Sequence, residues 1–147
     1  MTSPPALPNS GAALLVRTSF ADDGAWTSLV EQVRTPSPGD GFLAVVEIVD
    51  QPAYRDLPAD RLRALLPEGE YVSFFFVADE AALTEPERPL LVVPVPRPES
   101  PFLDEPPREQ FRVAVTHLWA LENNLSLANM DWPDFANRAE DGVFRGF

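Results

Sequence analysis

Apolar residues follow two rhythms along the chain. At Ala13–Phe20, ALLVRTSF, a continuous apolar start gives way to alternation, which predicts a mostly buried strand. Asp22 or Asp23 then stands where a side-chain oxygen can accept from the orphan amides of a helix over Ala25–Arg34. On that helix Trp26, Leu29, Val30 and Val33 fall at i, i+3, i+4 and i+7, one apolar stripe. TPSPGDG, residues 35–41, breaks the chain. Phe42–Val49, FLAVVEIV, is apolar on both faces, as suits a parallel strand covered on each side. Beyond a turn at Asp50–Leu57, Pro58 opens a short helix through Leu66, where its missing amide costs nothing. Glu70–Ala78, EYVSFFFVA, predicts a third strand, with Phe74–Phe76 central and buried. DEAALTEPE then holds one helical turn, ended by Pro86 and Pro89.

Leu90–Val95 reads as a fourth strand, but Pro94 cannot donate to a ladder, so it is expected at an edge or to stop by Val93. The proline-dense stretch Pro94–Pro107 has no periodicity and reads as an extended or mobile loop. Gln110–Val115 alternates and predicts a fifth strand, antiparallel to the fourth. Thr116 is a candidate N-cap for a helix striped by Leu118, Leu121 and Leu125, and Asp131 or Trp132 caps a last short helix with Pro133 in its first turn. Val143, Phe144 and Phe147 are too apolar for a free end and are expected to dock. Residues 1–12 read as a flexible tail and 13–147 as a single domain. The element order predicts an α/β layered fold with a mixed sheet of about five strands, the first three parallel, flanked by helices.

Charge narrows the function classes. Among 147 residues, 23 are acidic and 11 basic, a net charge of −12, and a surface of that sign repels phosphate backbones. A nucleic-acid partner is therefore not expected. All the basic residues are Arg, which removes Schiff-base, P-loop and general-base lysines. With no Cys there is no disulfide framework and no thiolate metal site. No apolar run reaches the roughly 20 residues of a membrane span, and the N-terminus has no signal-peptide pattern, so a cytoplasmic protein without a membrane partner is expected.

LVRTSF with DDGAW (Leu15–Trp26), FVADEAAL with PLLVV (Phe76–Val93), LENNLSLANMD (Leu121–Asp131) and the closing DGVFRGF (Asp141–Phe147) resemble an uncharacterised family of small acidic bacterial proteins, a domain of unknown function. The last two segments carry most of the likeness. The resemblance implies a stand-alone cytoplasmic domain and brings no activity, substrate or catalytic residue with it.

Three clusters carry candidate chemistry. Asp22, Asp23, Asp50 and Asp79 with Glu80 follow predicted strands, where parallel sheets bind ligands and where converging carboxylates hold Mg²⁺. The plainer alternative is that each caps its own helix or turn. His117 with Glu122 is a second cluster, since His117 is the chain's one general acid–base of that type, though no recognisable nucleophile accompanies it. The third is the amide-rich segment Leu118–Asp131, in which Trp119, Glu122, Asn123, Asn124, Asn129 and Asp131 form a candidate binding patch. Glu122, Ser126 and Asn129 share one face if the segment is a single helix. Because Asn competes for the backbone, Asn123 or Asn124 is alternatively expected to end the helix in the left-handed conformation. In that version the amides satisfy buried loop groups.

The reading that follows is a non-catalytic, cofactor-free protein-binding domain, with an inhibitor or immunity-type role toward a basic partner as one version. A small metal-assisted or ligand-binding enzyme using the strand-end carboxylates is the alternative. Self-association through Val143–Phe147 is a third, and the oligomeric state stays open.

Overall fold

A computed structural model describes residues 4–8, 11–67, 73–95, 109–127 and 129–146. Expectations placed on residues 70–72, on 96–107 of the proline-rich loop and on Phe147 lie outside them. Strand β1 (Ala13–Arg17) leads into helix α1 (Asp23–Val33), followed by β2 (Val46–Val49), α2 (Ala59–Ala64), β3 (Phe74–Ala78), α3 (Glu80–Thr84) and β4 (Pro89–Pro94). The chain then forms β5 (Phe111–Ala114), α4 (Leu118–Ser126), α5 (Trp132–Ala136) and β6 (Val143–Phe144). Among the described residues these strands make one six-stranded sheet in the order β2-β1-β3-β4-β5-β6. β1 pairs parallel with β2 and β3, β4 runs antiparallel to β3 and β5, and β6 lies parallel to β5. The α/β class and the three parallel strands are as expected, with one strand more.

Alternation along the strands divides the core. Leu15, Phe74, Phe76, Leu90, Val92 and Val113 face the side covered by Trp26, Leu29 and Val33 of α1 and by α3, α4 and α5. Leu14, Val16, Phe75, Val77 and Val93 face the other side, under Leu62 of α2 and Tyr54. The helices fall on opposite faces for a topological reason. The chain leaves β1 in one direction to reach β2 and returns past it to β3, so two right-handed crossovers put α1 and α2 on different sides. Each fully buried Leu or Phe in these layers contributes about 1.5–3 kcal/mol.

Five local expectations are corrected. β4 is interior rather than an edge and runs to Pro94, which lies opposite Phe74, the first residue of β3; its two prolines sit at its ends, where a missing ladder amide matters least. The second strand begins at Val46, and residues 42–45 run outside the sheet. Val115–His117 form a 3₁₀ turn ahead of α4, so Thr116 is not its cap; His117 takes that position with no side-chain capping bond. α4 passes through Asn123 and Asn124 without a left-handed residue. Finally, Leu7 in the expected tail is only 2% exposed and donates its amide to Leu65 at 2.8 Å. The Tyr54 hydroxyl donates to the Pro5 carbonyl at 2.8 Å, so residues 4–8 pack on the α2 face.

The closing segment docks. Val143 and Phe144 pair with Arg112 and Val113 as β6, and Phe144 is fully buried against Phe135.

Candidate functional site

α4 presents two neighbouring rows of side chains. Trp119, Asn123 and Leu127 repeat every four residues, and Glu122 lies beside Ser126. Against them runs a strap, residues 36–45, that connects α1 to β2. The Asn123 amide Nδ2 donates to the Leu43 carbonyl at 2.9 Å, and the Glu122 carboxylate accepts the Val45 backbone N–H. Glu122 is 3% exposed and is satisfied by donors alone: Val45, the Ser126 hydroxyl at 2.5 Å and Asn123 at 3.3 Å. Trp119 stacks on Phe42 with ring centroids 5.2 Å apart and planes 14° apart.

The strap's backbone is thus held from behind while its side chains turn outward. Phe42 is 49% exposed, Leu43 42% and Val45 65%, and Leu127 at the end of the Trp119 row is 69% exposed. Behind the strap a cleft of about 190 Å³ is lined by Val33, Pro36, Ala44, Val115, Leu118 and Trp119. This apolar surface rests on residues that the amide-rich segment points to and includes its Leu127, yet Leu43 and Val45 lie 80 and 77 positions from the α4 residues that hold them.

Six residues of that segment are candidates, and the structure divides them. Trp119, Glu122 and Asn123 meet beneath the strap. Asn124 turns back along α4, donating Nδ2 to the Ala120 carbonyl at 2.7 Å, and its own carbonyl accepts from Asn129 and Met130. Asp131 caps α5 in a reciprocal pair with Asp134, whose carboxylate accepts the Asp131 amide at 2.8 Å. Asn124, Asn129 and Asp131 therefore shape the turn between α4 and α5. Sequence reasoning missed Phe42, Leu43 and Val45 as surface residues because FLAVVEIV has the composition of a buried strand.

At the other candidate cluster Asp23 and Asp50 share one guanidinium, while Asp22 and Asp79 cap separate helices. Asp22 caps α1, accepting from the Ala25 amide at 3.0 Å, and Asp79 caps α3, accepting from Ala82 at 3.2 Å. Asp23 and Asp50 are both drawn to Arg17, at 2.6 and 3.3 Å. The indole Nε1 of Trp26 also donates to Asp50 at 3.1 Å. Asp79 instead forms a two-pronged pair with Arg112, at 2.9 and 2.7 Å; this bonding and the facing charge push the Arg112 pKa up against the effect of burial. Among the described residues no three of His, Asp and Glu gather as a metal ligand set. His117 is half-buried beside the Phe144 ring and the Gly146 backbone. No described helix is long and apolar enough to cross a membrane.

Fold and surface together define a small acidic α/β domain with an apolar strap displayed on its fourth helix. The chain belongs to the family described as "Domain of unknown function (DUF6924)", whose model matches residues 12–147. No curated protein matches it.

Proposed function

We propose that the chain is a non-catalytic protein-binding domain of the cytoplasm, and that its contact surface is the strap with Trp119 and Leu127. The observation that carries this reading is that the exposed large apolar residues of the described chain are Phe42, Leu43 and Val45 of the strap and Leu127 of the helix row that carries Trp119, with Phe42 stacked on Trp119. Scattered exposed apolar residues need no explanation, but a contiguous set with an aromatic anchor marks interaction surfaces. Holding the strap by its backbone keeps these side chains ordered before binding, which lowers the entropy lost on association. The partner is a basic protein with an apolar centre to its contact face, because a domain of net charge −12 attracts such a surface and repels acidic ones. An inhibitor or immunity-type role toward such a partner is one version of this reading.

The test is affinity capture with the full chain tagged at its N-terminus, run beside Phe42→Asp and Val45→Asp. A basic protein retained by the wild type, lost by both variants and weakened by salt supports the reading. Capture of nothing specific, or equal capture by the folded variants, defeats it. Concentration-dependent dimerisation abolished by Phe42→Asp would assign the surface to a second copy instead.

A further inference from the structure

At the carboxyl ends of β1 and β3 lies an open groove of about 620 Å³, within the roughly 300–1,000 Å³ that small-molecule pockets occupy. Its position follows from the topology. β1 leads to α1 on one face and β2 leads through Arg55–Pro58 to α2 on the other, so these two loops diverge and open a crevice at the point where α/β sheets bind ligands. That rule supplies a place, and the unused side chains supply the chemistry.

Thr18 is 4% exposed. Its amide donates to the Ala78 carbonyl at 3.0 Å and its carbonyl accepts from Asp56 at 2.9 Å. Its hydroxyl opens onto the groove and makes no hydrogen bond among the described residues. A hydroxyl that reaches solvent from an otherwise buried residue is a donor and acceptor open to a ligand. Arg55 also lines the groove, its guanidinium 5.4 Å from the centre of the Phe20 ring. Arg17, on the same ring at 4.3 Å, is consumed by Asp23 and Asp50. Arg55, in contrast, forms no ion pair among the described residues, in a chain with 23 acidic side chains against 11 basic ones. Asp56, held at φ 58°, and Glu80 line the same groove with carboxylates outside any ion pair.

One unpaired cation, two unpaired anions and a hydroxyl restrict the ligand. A simple anion would gain Arg55 and face two carboxylates; a simple cation would gain those and face Arg55. We propose that the groove binds a small zwitterion of the α-amino-acid class, with Arg55 and the Thr18 hydroxyl receiving its carboxylate and Asp56 with Glu80 receiving its ammonium group. Charge-assisted bonds to both ends are the strong ones in such a site. None of these residues belongs to the strap, so the inference stands apart from the protein-binding reading.

The experiment is a thermal-shift and calorimetric screen of the full chain against glycine, L-alanine, L-glutamate, L-lysine and L-phenylalanine, each at about 10 mM. Each is run beside its N-acetyl form, which lacks the cation, and its methyl ester, which lacks the backbone anion. The expected result is a raised Tm with at least one amino acid, lost with both of its derivatives. Arg55→Gln, an exposed substitution, and Thr18→Val should each weaken binding about tenfold, whereas Phe42→Asp leaves it unchanged. The proposal is overturned by no shift with any of the amino acids, by a derivative that binds as well as its parent, or by unchanged binding in folded Arg55→Gln.

Discussion

The Glu122 carboxylate accepts the backbone amide of Val45, 77 positions earlier in the chain, and this bond joins the strap to α4. Glu122 is buried and surrounded by neutral donors, so every one of its partners loses a strong acceptor if it is truncated. Glu122→Ala should cost about 2–3 kcal/mol, the range for bonds to a charged group whose loss leaves a buried donor unpaired. The strap should loosen first. Denaturant unfolding gives the stability change, and limited proteolysis should show new cleavage within residues 36–45. Unchanged proteolysis with full loss of stability would mean that Glu122 supports α4 alone.

Arg17 organises the opposite end of β1. Its side chain is 5% exposed and reaches Asp23, Asp50 and the Ser19 carbonyl while lying over Phe20. Removing one partner of a fully buried pair costs about 3–5 kcal/mol. Here both carboxylates touch water, Asp23 at 87% and Asp50 at 43%, so the freed charges are solvated. Arg17→Gln should therefore cost about 2 kcal/mol. Arg17→Lys should recover little, because one ammonium cannot span two carboxylates and a carbonyl in the planar geometry that the guanidinium provides. Denaturation midpoints of the two variants check both statements.

These two relationships show what local pattern reveals and what it hides. The α1 stripe of Trp26, Leu29 and Val33 is legible because all three sit on one helix and face one layer. The triple Phe run of β3 is legible because a fully apolar strand has few other places to go. The strap is illegible for the opposite reason. FLAVVEIV reads as eight strand residues, but the backbone groups at Leu43 and Val45 find partners on Asn123 and Glu122 instead of a ladder. Asn123 and Asn124 look like helix breakers, yet one bonds to the strap and the other bonds back to Ala120. β6 has only two residues, too short for any period, and is recognisable only by the strand it meets. Side-chain amides whose partners are tens of residues away cannot be sorted into structural or binding roles until the pairing is known.

Tyr54 makes stability depend on alkaline pH. Its residue is 1% exposed, and burial raises its pKa above the ordinary 10.0. Below that value the tyrosine is neutral in both the folded and the unfolded chain, and it contributes no pH dependence. Above it the unfolded chain releases the proton while the folded one retains it, so the unfolded state binds fewer protons and stability falls as pH rises. The fall continues until the folded group also ionises. Tyr54→Phe should remove this slope. At neutral pH the same variant should cost about 1 kcal/mol, since the Pro5 carbonyl loses its donor. Thermal unfolding followed from pH 8 to 11 tests both effects, and an unaltered alkaline slope in the variant would assign it to other groups.

Gly146 lies in the closing segment that docks beside α4. Its φ is +99°, a conformation that costs any L side chain strain, and a Cβ built there would come within 2.8 Å of the His117 ring. The His117 ring also packs against Phe144, with ring centroids 6.5 Å apart and planes at 77°, so both penalties act together. Gly146→Ala should therefore destabilise the protein by about 2 kcal/mol, from backbone strain and overpacking combined. Relief of the ring contact separates the two contributions. In Gly146→Ala with His117→Ala the clash is gone but the strained φ remains, so the cost of the glycine change should drop to about 1 kcal/mol in a double-mutant cycle. A cost that is the same with and without the imidazole would show that the backbone conformation alone requires glycine. A cost that vanishes when the imidazole is removed would show that the close approach alone requires it.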